Sequence, residues 1–160
     1  VIGEPADLEG ARQLAKEDTH QFEHWALGLV GARASAKGKG ADKGIDGVLQ
    51  MQEAGVVKPV PISVKSGNVT SGAIRDLRGV MHRDGSPIGI LVTLKEPSKD
   101  MRTEAAAAGF YEVQNGLATV LGSETDKRVP RIQILSIKDI LEDGKKPGIP
   151  GWASNVTGKR

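Results

Sequence analysis

Residues 88–94 read IGILVTL, a run without a charged side chain. A strand with one wet face alternates apolar and polar residues. This one does not, so both of its faces must be covered. Helices are the usual cover, and the segments on either side have helical pattern. Before it, Ile74, Leu77 and Met81, with Ala73 and Val80, give 71–83 a buried face, and Thr70 or Ser71 can cap its start. After it, 98–110 (SKDMRTEAAAAGF) reads as a helix with Ser98 as N-cap and Gly109 as stop signal. The predicted fold class is α/β, with a mixed central sheet flanked by helices.

The other elements arrange themselves around that strand. Residues 7–17 form a short helix with Asp7 as N-cap. A second helix over 19–30 carries Phe22, Trp25, Ala26 and Leu29 at i, i+3, i+4 and i+7, with Glu23 on the edge of the stripe. IDGVLQM (45–51) is a short strand with Asp46 inside it. VVKPVPISVK (56–65) is the next strand, with Val60, Ile62 and Val64 alternating against Pro61, Ser63 and Lys65. Pro59 and Pro61 have no amide proton, which puts the early half of that strand at a sheet edge or in a bulge. The short connection between the two strands favours an antiparallel hairpin. RIQILSI (131–137) is a further strand, followed by a helix to about 142. The predicted order is α-α-β-β-α-β-α-β-α. It divides the chain into a helical lead-in over 1–18, a core over 19–143 and a loose Pro/Gly-rich tail over 144–160.

Composition removes several classes of function. A chain of 160 residues is one domain. It has no cysteine, so disulfides, thiolate catalysis and cysteine zinc sites are excluded together. His20, His24 and His82 are too few and scattered for a histidine-rich metal site. No stretch approaches the ~18 apolar residues of a membrane helix, and no signal peptide is visible, so the expected setting is cytoplasmic with no membrane partner. Phosphate-loop, dinucleotide and nucleophile-elbow patterns are all missing. Aromatic residues make up 3% of the chain, which argues against a base-stacking platform. The beginning at Val1 and the Gly158-Lys159-Arg160 ending read as a fragment of a longer protein.

Charge is unevenly distributed. Residues 1–30 hold six carboxylates against two cations, a balance of −4, which leaves +6 on the remaining 130 of a chain whose net charge is +2. Arg33, Lys37, Lys39 and Lys43 fall within eleven residues, in a glycine-rich segment (31–44) that reads as a flexible basic loop. This is a modest electrostatic footprint for a polyanion.

The segment 40–67 carries the most chemistry. Asp46 and Lys65 lie near the ends of neighbouring antiparallel strands, where a carboxylate and an ammonium can come within a few ångströms of each other. A carboxylate is a hard oxygen ligand suited to Mg²⁺, and a nearby lysine can orient an attacking water or neutralise charge on a phosphate. Taken singly, Asp46 before Gly47 also reads as a bulge or turn residue, Lys65 as a snorkelling lysine and Glu23 as a solvated edge residue. Arg75 and Arg78, at i and i+3, read as a solvated helix face or as phosphate contacts.

The run GADKGIDG (40–47), followed by a strand ending ISVKSG (62–67), resembles the active-site signature of the PD-(D/E)xK restriction-endonuclease-like superfamily, nearest its Mrr-like group. The resemblance continues through GAIRDLRGVM, IGILVTLKEP, MRTEAAAAGFY and PRIQIL, and so covers roughly 1–150. It implies an αβββαβ core, and it is similar to the domain appended to DNA methyltransferases that modify exocyclic amino groups. On this resemblance Asp46 is the metal-binding aspartate, Lys65 the catalytic lysine and Glu23 the acidic residue of the first core helix. The Val64 carbonyl is a main-chain ligand. Ser63 stands where the family carries Glu or Gln, which implies one side-chain ligand fewer and makes Ser63→Glu the substitution expected to restore it. The cofactor implied is Mg²⁺, with Mn²⁺ as substitute.

Three functions compete. The first is a Mg²⁺-dependent endonuclease acting on double-stranded DNA, with Asp46, Lys65, Glu23 and Ser63 at the site and Arg33, Lys37, Lys39, Lys43, Arg75 and Arg78 on DNA. Two copies would cut the two strands, so a homodimer is expected. The second is a DNA-binding accessory module of a methyltransferase, with catalysis weakened at Ser63. The third is a protein-interaction domain that docks the parent enzyme to a partner.

Overall fold

The structure, a computed structural model, describes residues 4–35, 44–113, 128–152 and 155. The chain opens with two helices, α1 (Leu8–Glu17) and α2 (Thr19–Leu29). The Asp7 side chain accepts from the Gly10 N–H and the Asp18 side chain from the Gln21 N–H, so each helix starts on an aspartate cap. Strands β1 (Arg33–Ala34), β2 (Gly47–Glu53) and β3 (Val56–Lys65) follow, then α3 (Ser71–Asp84), β4 (Gly89–Thr93) and α4 (Lys99–Ala106). The short strands β5 (Phe110–Glu112) and β6 (Arg128–Pro130) precede β7 (Ile132–Ser136) and α5 (Ile137–Asp143).

The main sheet has the order β1-β2-β3-β4-β7, antiparallel from β1 to β3 and parallel from β3 to β7. This is the mixed sheet expected of the sequence, with IGILVTL at its buried centre. Every residue of β4 is buried. Ile90 and Val92 pack with Phe22, Trp25 and Ala26 of α2 on one face, together with residues of α1 and α5. Leu91 packs with Ile74, Leu77 and Met81 of α3 and Met101 and Ala105 of α4 on the other. The two helical layers bury the apolar stripes that the 3.6-residue period marks.

β2 and β3 are joined by Ala54 and Gly55, both at positive φ (53° and 79°), as a two-residue type I′ hairpin requires. The proline expectation holds in a particular way. Gln50, the partner of Pro59, turns its N–H and C=O away to the Asn155 side chain, both at 2.9 Å. Pro59 therefore faces away from β2 as well, on the side where β4 pairs only from Ile62 onward. Its missing donor is not needed there.

Several local expectations are corrected. Asp46 precedes β2 rather than lying inside it. The helix after Ser98 stops at Ala106; the chain turns through Gly109 at φ 83°, and Phe110 begins a strand. Arg33–Ala34, Phe110–Glu112 and Arg128–Pro130 are strands too short to show a period. Leu27, outside the predicted stripe, is buried, whereas Leu29 is only partly so. Residues 144–152, expected to be loose, are held by β7, by β2 and by the end of α2. Gly148 exchanges two hydrogen bonds with the Gln133 amide, Pro150 accepts from the Gln52 N–H, and the Trp152 indole donates to the Val30 carbonyl at 2.9 Å.

Candidate active site

Strand polarity explains why a pocket for chemistry exists where β2 begins. In a strand, the N–H and C=O of one residue project to the same side. Val60 and Ile62 direct theirs at β2, whereas Lys65 directs its carbonyl at β4, where it accepts from the Leu94 N–H at 2.9 Å. Val64 must therefore project toward β2, but the paired ladder ends at Gly47 opposite Ile62. One residue before that end, the Asp46 side chain takes the place of the missing strand. Its Oδ2 accepts from the Val64 N–H at 2.7 Å, while its own N–H donates to the Ile62 carbonyl at 2.8 Å. The Val64 carbonyl opens onto the same side.

Glycine makes the approach of the other elements possible. A Cβ on Gly47 would lie 2.6 Å from Leu27 Cδ2 and 2.7 Å from the Arg33 carbonyl oxygen, so only glycine lets β2 come this close to α2 and β1. Gly44, at φ 77°, turns the chain ahead of Asp46, and the Lys65 amine lies 3.9 Å from where its Cβ would be. Lys65 thus leans over the turn that presents Asp46. From the other side, Glu23 on α2 comes within electrostatic reach. Burial raises the Glu23 carboxyl above its usual 4.5, the charge of Asp46 raises it further, and His20 and Lys65 pull it back. Burial likewise raises Asp46 above its usual 3.8, opposed by the Val64 N–H, Lys65 and His20. The structure therefore brings Asp46, Lys65, Glu23 and Val64 together.

Ser63 is buried, and its hydroxyl donates to the Gly44 carbonyl at 2.5 Å. His20 is the group that sequence reasoning missed. It shares a face with Glu23 at i and i+3, a spacing that was legible once the helix was assigned.

A family model described as restriction endonuclease, of the Mrr catalytic type, matches residues 14–116, more than half of the chain. The chain belongs to the Mrr-type restriction endonuclease family. Among solved structures, this Mrr-type domain is similar to AspBHI, described as a DNA modification-dependent restriction endonuclease. The TM-score is 0.55 at 18% identity, over 99% of this chain and 39% of that one. It also matches the MspJI restriction endonuclease in complex with a 27-mer oligonucleotide, at TM-score 0.48 and 16% identity, over 85% of this chain and 32% of that one. The domain thus spans about two-fifths of the first and a third of the second. No curated protein matches it.

The oxygen atoms gathered at this candidate site are those of the Asp46 and Glu23 carboxylates and the Val64 main-chain carbonyl. Among the described residues no group of three or more His, Cys, Asp or Glu is placed to hold a metal ion. That set fits a hard divalent cation that keeps several waters and uses one or two carboxylates. It does not fit a tetrahedral zinc site.

The expected DNA contacts are scattered. Arg33 is exposed on edge strand β1, opposite Val48. Arg75 and Arg78 are exposed on α3, and Arg75 is held by Ser71 Oγ at 3.3 Å and by Glu104 at 3.4 Å. Lys37, Lys39 and Lys43 lie outside the described residues. No described helix is long and apolar enough to cross a membrane.

Proposed function

We propose that this restriction-endonuclease domain is a Mg²⁺-dependent endodeoxyribonuclease that hydrolyses phosphodiester bonds of double-stranded DNA, with Mn²⁺ as an effective substitute. The observation that carries the reading is the Asp46 carboxylate hydrogen-bonded to the Val64 N–H at the end of a strand pair, with Lys65 over its turn and Glu23 within electrostatic reach of it. Asp46, Glu23 and the Val64 carbonyl would hold the cation. When bound, it supplies Lewis-acid neutralisation of the phosphate and a lowered pKa for water. Lys65 orients the attacking water and offsets the charge that builds on phosphorus as five oxygens surround it. Water's oxygen bonds to phosphorus, the bond to the 3′ oxygen breaks, and that oxygen leaves with a proton. The products are 5′-phosphate and 3′-hydroxyl ends.

The expected setting is a cytoplasmic restriction–modification protein, with a methyltransferase domain in the parent chain and paired copies to cut both strands. Plasmid nicking with Mg²⁺, with Mn²⁺ and with chelator tests the reading. Cleavage should require the metal and should disappear in Asp46→Ala and Lys65→Ala. Cleavage that survives Asp46→Ala would sink the assignment. A second reading, a DNA-binding accessory module, is favoured by one observation: the Ser63 hydroxyl is already engaged by Gly44. Duplex binding without nicking at any metal concentration would select it.

A further inference from the structure

Three consecutive residues of β3 grip the turn that carries Asp46. The Ile62 carbonyl accepts from the Asp46 N–H, the Ser63 hydroxyl donates to the Gly44 carbonyl, and the Val64 N–H donates to Asp46 Oδ2. Two of these bonds use the main chain of β3 and are available to any sequence there. The third depends on a side chain, and only a short hydroxyl at position 63 can make it. Ser63 is 4% exposed. It lines a small pocket with Lys65, Gly44 and the α3 residues Ala73, Asp76 and Leu77. A glutamate at 63 has no hydroxyl to donate and would bring an anion up to the Gly44 carbonyl.

We propose that Ser63 is a positioning residue. Its hydroxyl locks the 44–46 turn so that the Asp46 carboxylate stays on the Val64 N–H with one oxygen facing outward, and it is not a weak metal ligand in a glutamate's place. The catalytic consequence rests on the endonuclease reading above; the structural one does not. Gly44 sits at φ 77°, and the Ser63 bond fixes the residue at which the turn begins, while Ser35 and Ile62 hold Ile45 and Asp46 behind it.

The experiment compares wild type with Ser63→Ala, Ser63→Thr, Ser63→Glu and Asp46→Ala. One arm measures amide exchange at Asp46 and Val64, with the Val92 amide of the buried strand as folding control. The other measures binding of Mn²⁺ alone by calorimetry. Ser63→Ala should speed exchange at Asp46 and Val64 by about tenfold or more while Val92 stays protected. It should weaken Mn²⁺ by roughly 10–100-fold, as removal of a group that holds a ligand in place does. Ser63→Thr keeps the hydroxyl and should restore both, and Ser63→Glu should weaken Mn²⁺ as Ser63→Ala does. Wild-type exchange rates in Ser63→Ala overturn the clamp whatever the metal does, and so does tighter Mn²⁺ binding in Ser63→Glu. If Mn²⁺ binds neither wild type nor any variant, the endonuclease reading fails and the exchange arm still decides the role of Ser63.

Discussion

Asp46 sits where its own charge is disfavoured. Burial is the largest influence on it, and the Val64 N–H, Lys65 and His20 recover only part of that cost. Glu23 is in the same position, with the charge of Asp46 added. Both folded pKa values lie above the ordinary ones, so around the carboxylate range the folded chain binds more protons than the unfolded chain. The stability these groups contribute is present below the ordinary carboxylate pKa and is lost as pH rises through the raised values. Two consequences follow for the metal-free protein. Asp46→Asn keeps an oxygen for the Val64 N–H and removes the charge, so its melting temperature at neutral pH should exceed that of wild type while Mn²⁺ binding is lost. Mn²⁺ affinity of the wild type should fall as pH drops through the raised values, because the ligand oxygens must be ionised to bind. Melting curves and metal titrations at several pH values check both. A lower melting temperature for Asp46→Asn would mean that Lys65 and His20 outweigh burial. A site that is less stable empty is what a binding site for a cation looks like.

The elements place these residues through close contacts rather than through a deep pocket. Gly47 is the clearest case. A methyl there meets the Arg33 carbonyl, which belongs to the β1 backbone and has little freedom to give way, as well as the Leu27 side chain. Gly47→Ala should destabilise the fold by about 1–3 kcal/mol, as overpacking does. It should also weaken metal binding, because the displaced strand carries Asp46 with it; denaturant unfolding and Mn²⁺ titration measure the two effects. The same scale divides what the sequence reveals from what it hides. IGILVTL, the β2–β3 pair and the capped helices α1, α3 and α4 announce themselves through period and cap chemistry, and the sequence alone brings Asp46 and Lys65 to neighbouring strands. Two- and three-residue strands have no period, so β1, β5 and β6 were invisible. The tail reads as loose because its order comes from distant partners: Gln133, Gln52 and Gln50 hold it, and Trp152 reaches Val30. The role of Ser63 was hidden for the same reason. The Gly44 carbonyl that accepts its hydroxyl is nineteen positions away in sequence, so only the fold brings the two together.

At the scale of the whole molecule the question is where a polyanion would lie. The acidic half of the charge asymmetry belongs to residues 1–30, which hold α1 and α2, so these helices offer DNA little attraction. The basic segment 33–43 is bounded by residues fixed at the site. Ser35 donates from its N–H to the Asp46 carbonyl and from its hydroxyl to the Ile45 carbonyl, and Gly44 accepts from Ser63. Lys37, Lys39 and Lys43 fall between these two anchors in the sequence, whereas Arg75 on α3 is partly committed to Glu104. Each lysine that neutralises one phosphate contributes about 0.9 to the slope of log affinity against log salt. Reversing all three to glutamate should flatten that slope by roughly 3 and weaken duplex binding to a similar degree across unrelated sequences, since phosphate contacts carry no base information. Arg75→Ala should change the slope by well under 1. Fluorescence anisotropy with two unrelated duplexes, titrated over a range of salt concentrations with Ca²⁺ in place of Mg²⁺ to hold back cleavage, gives the slopes directly. An unchanged slope in the triple variant would show that these three lysines do not carry the DNA contact.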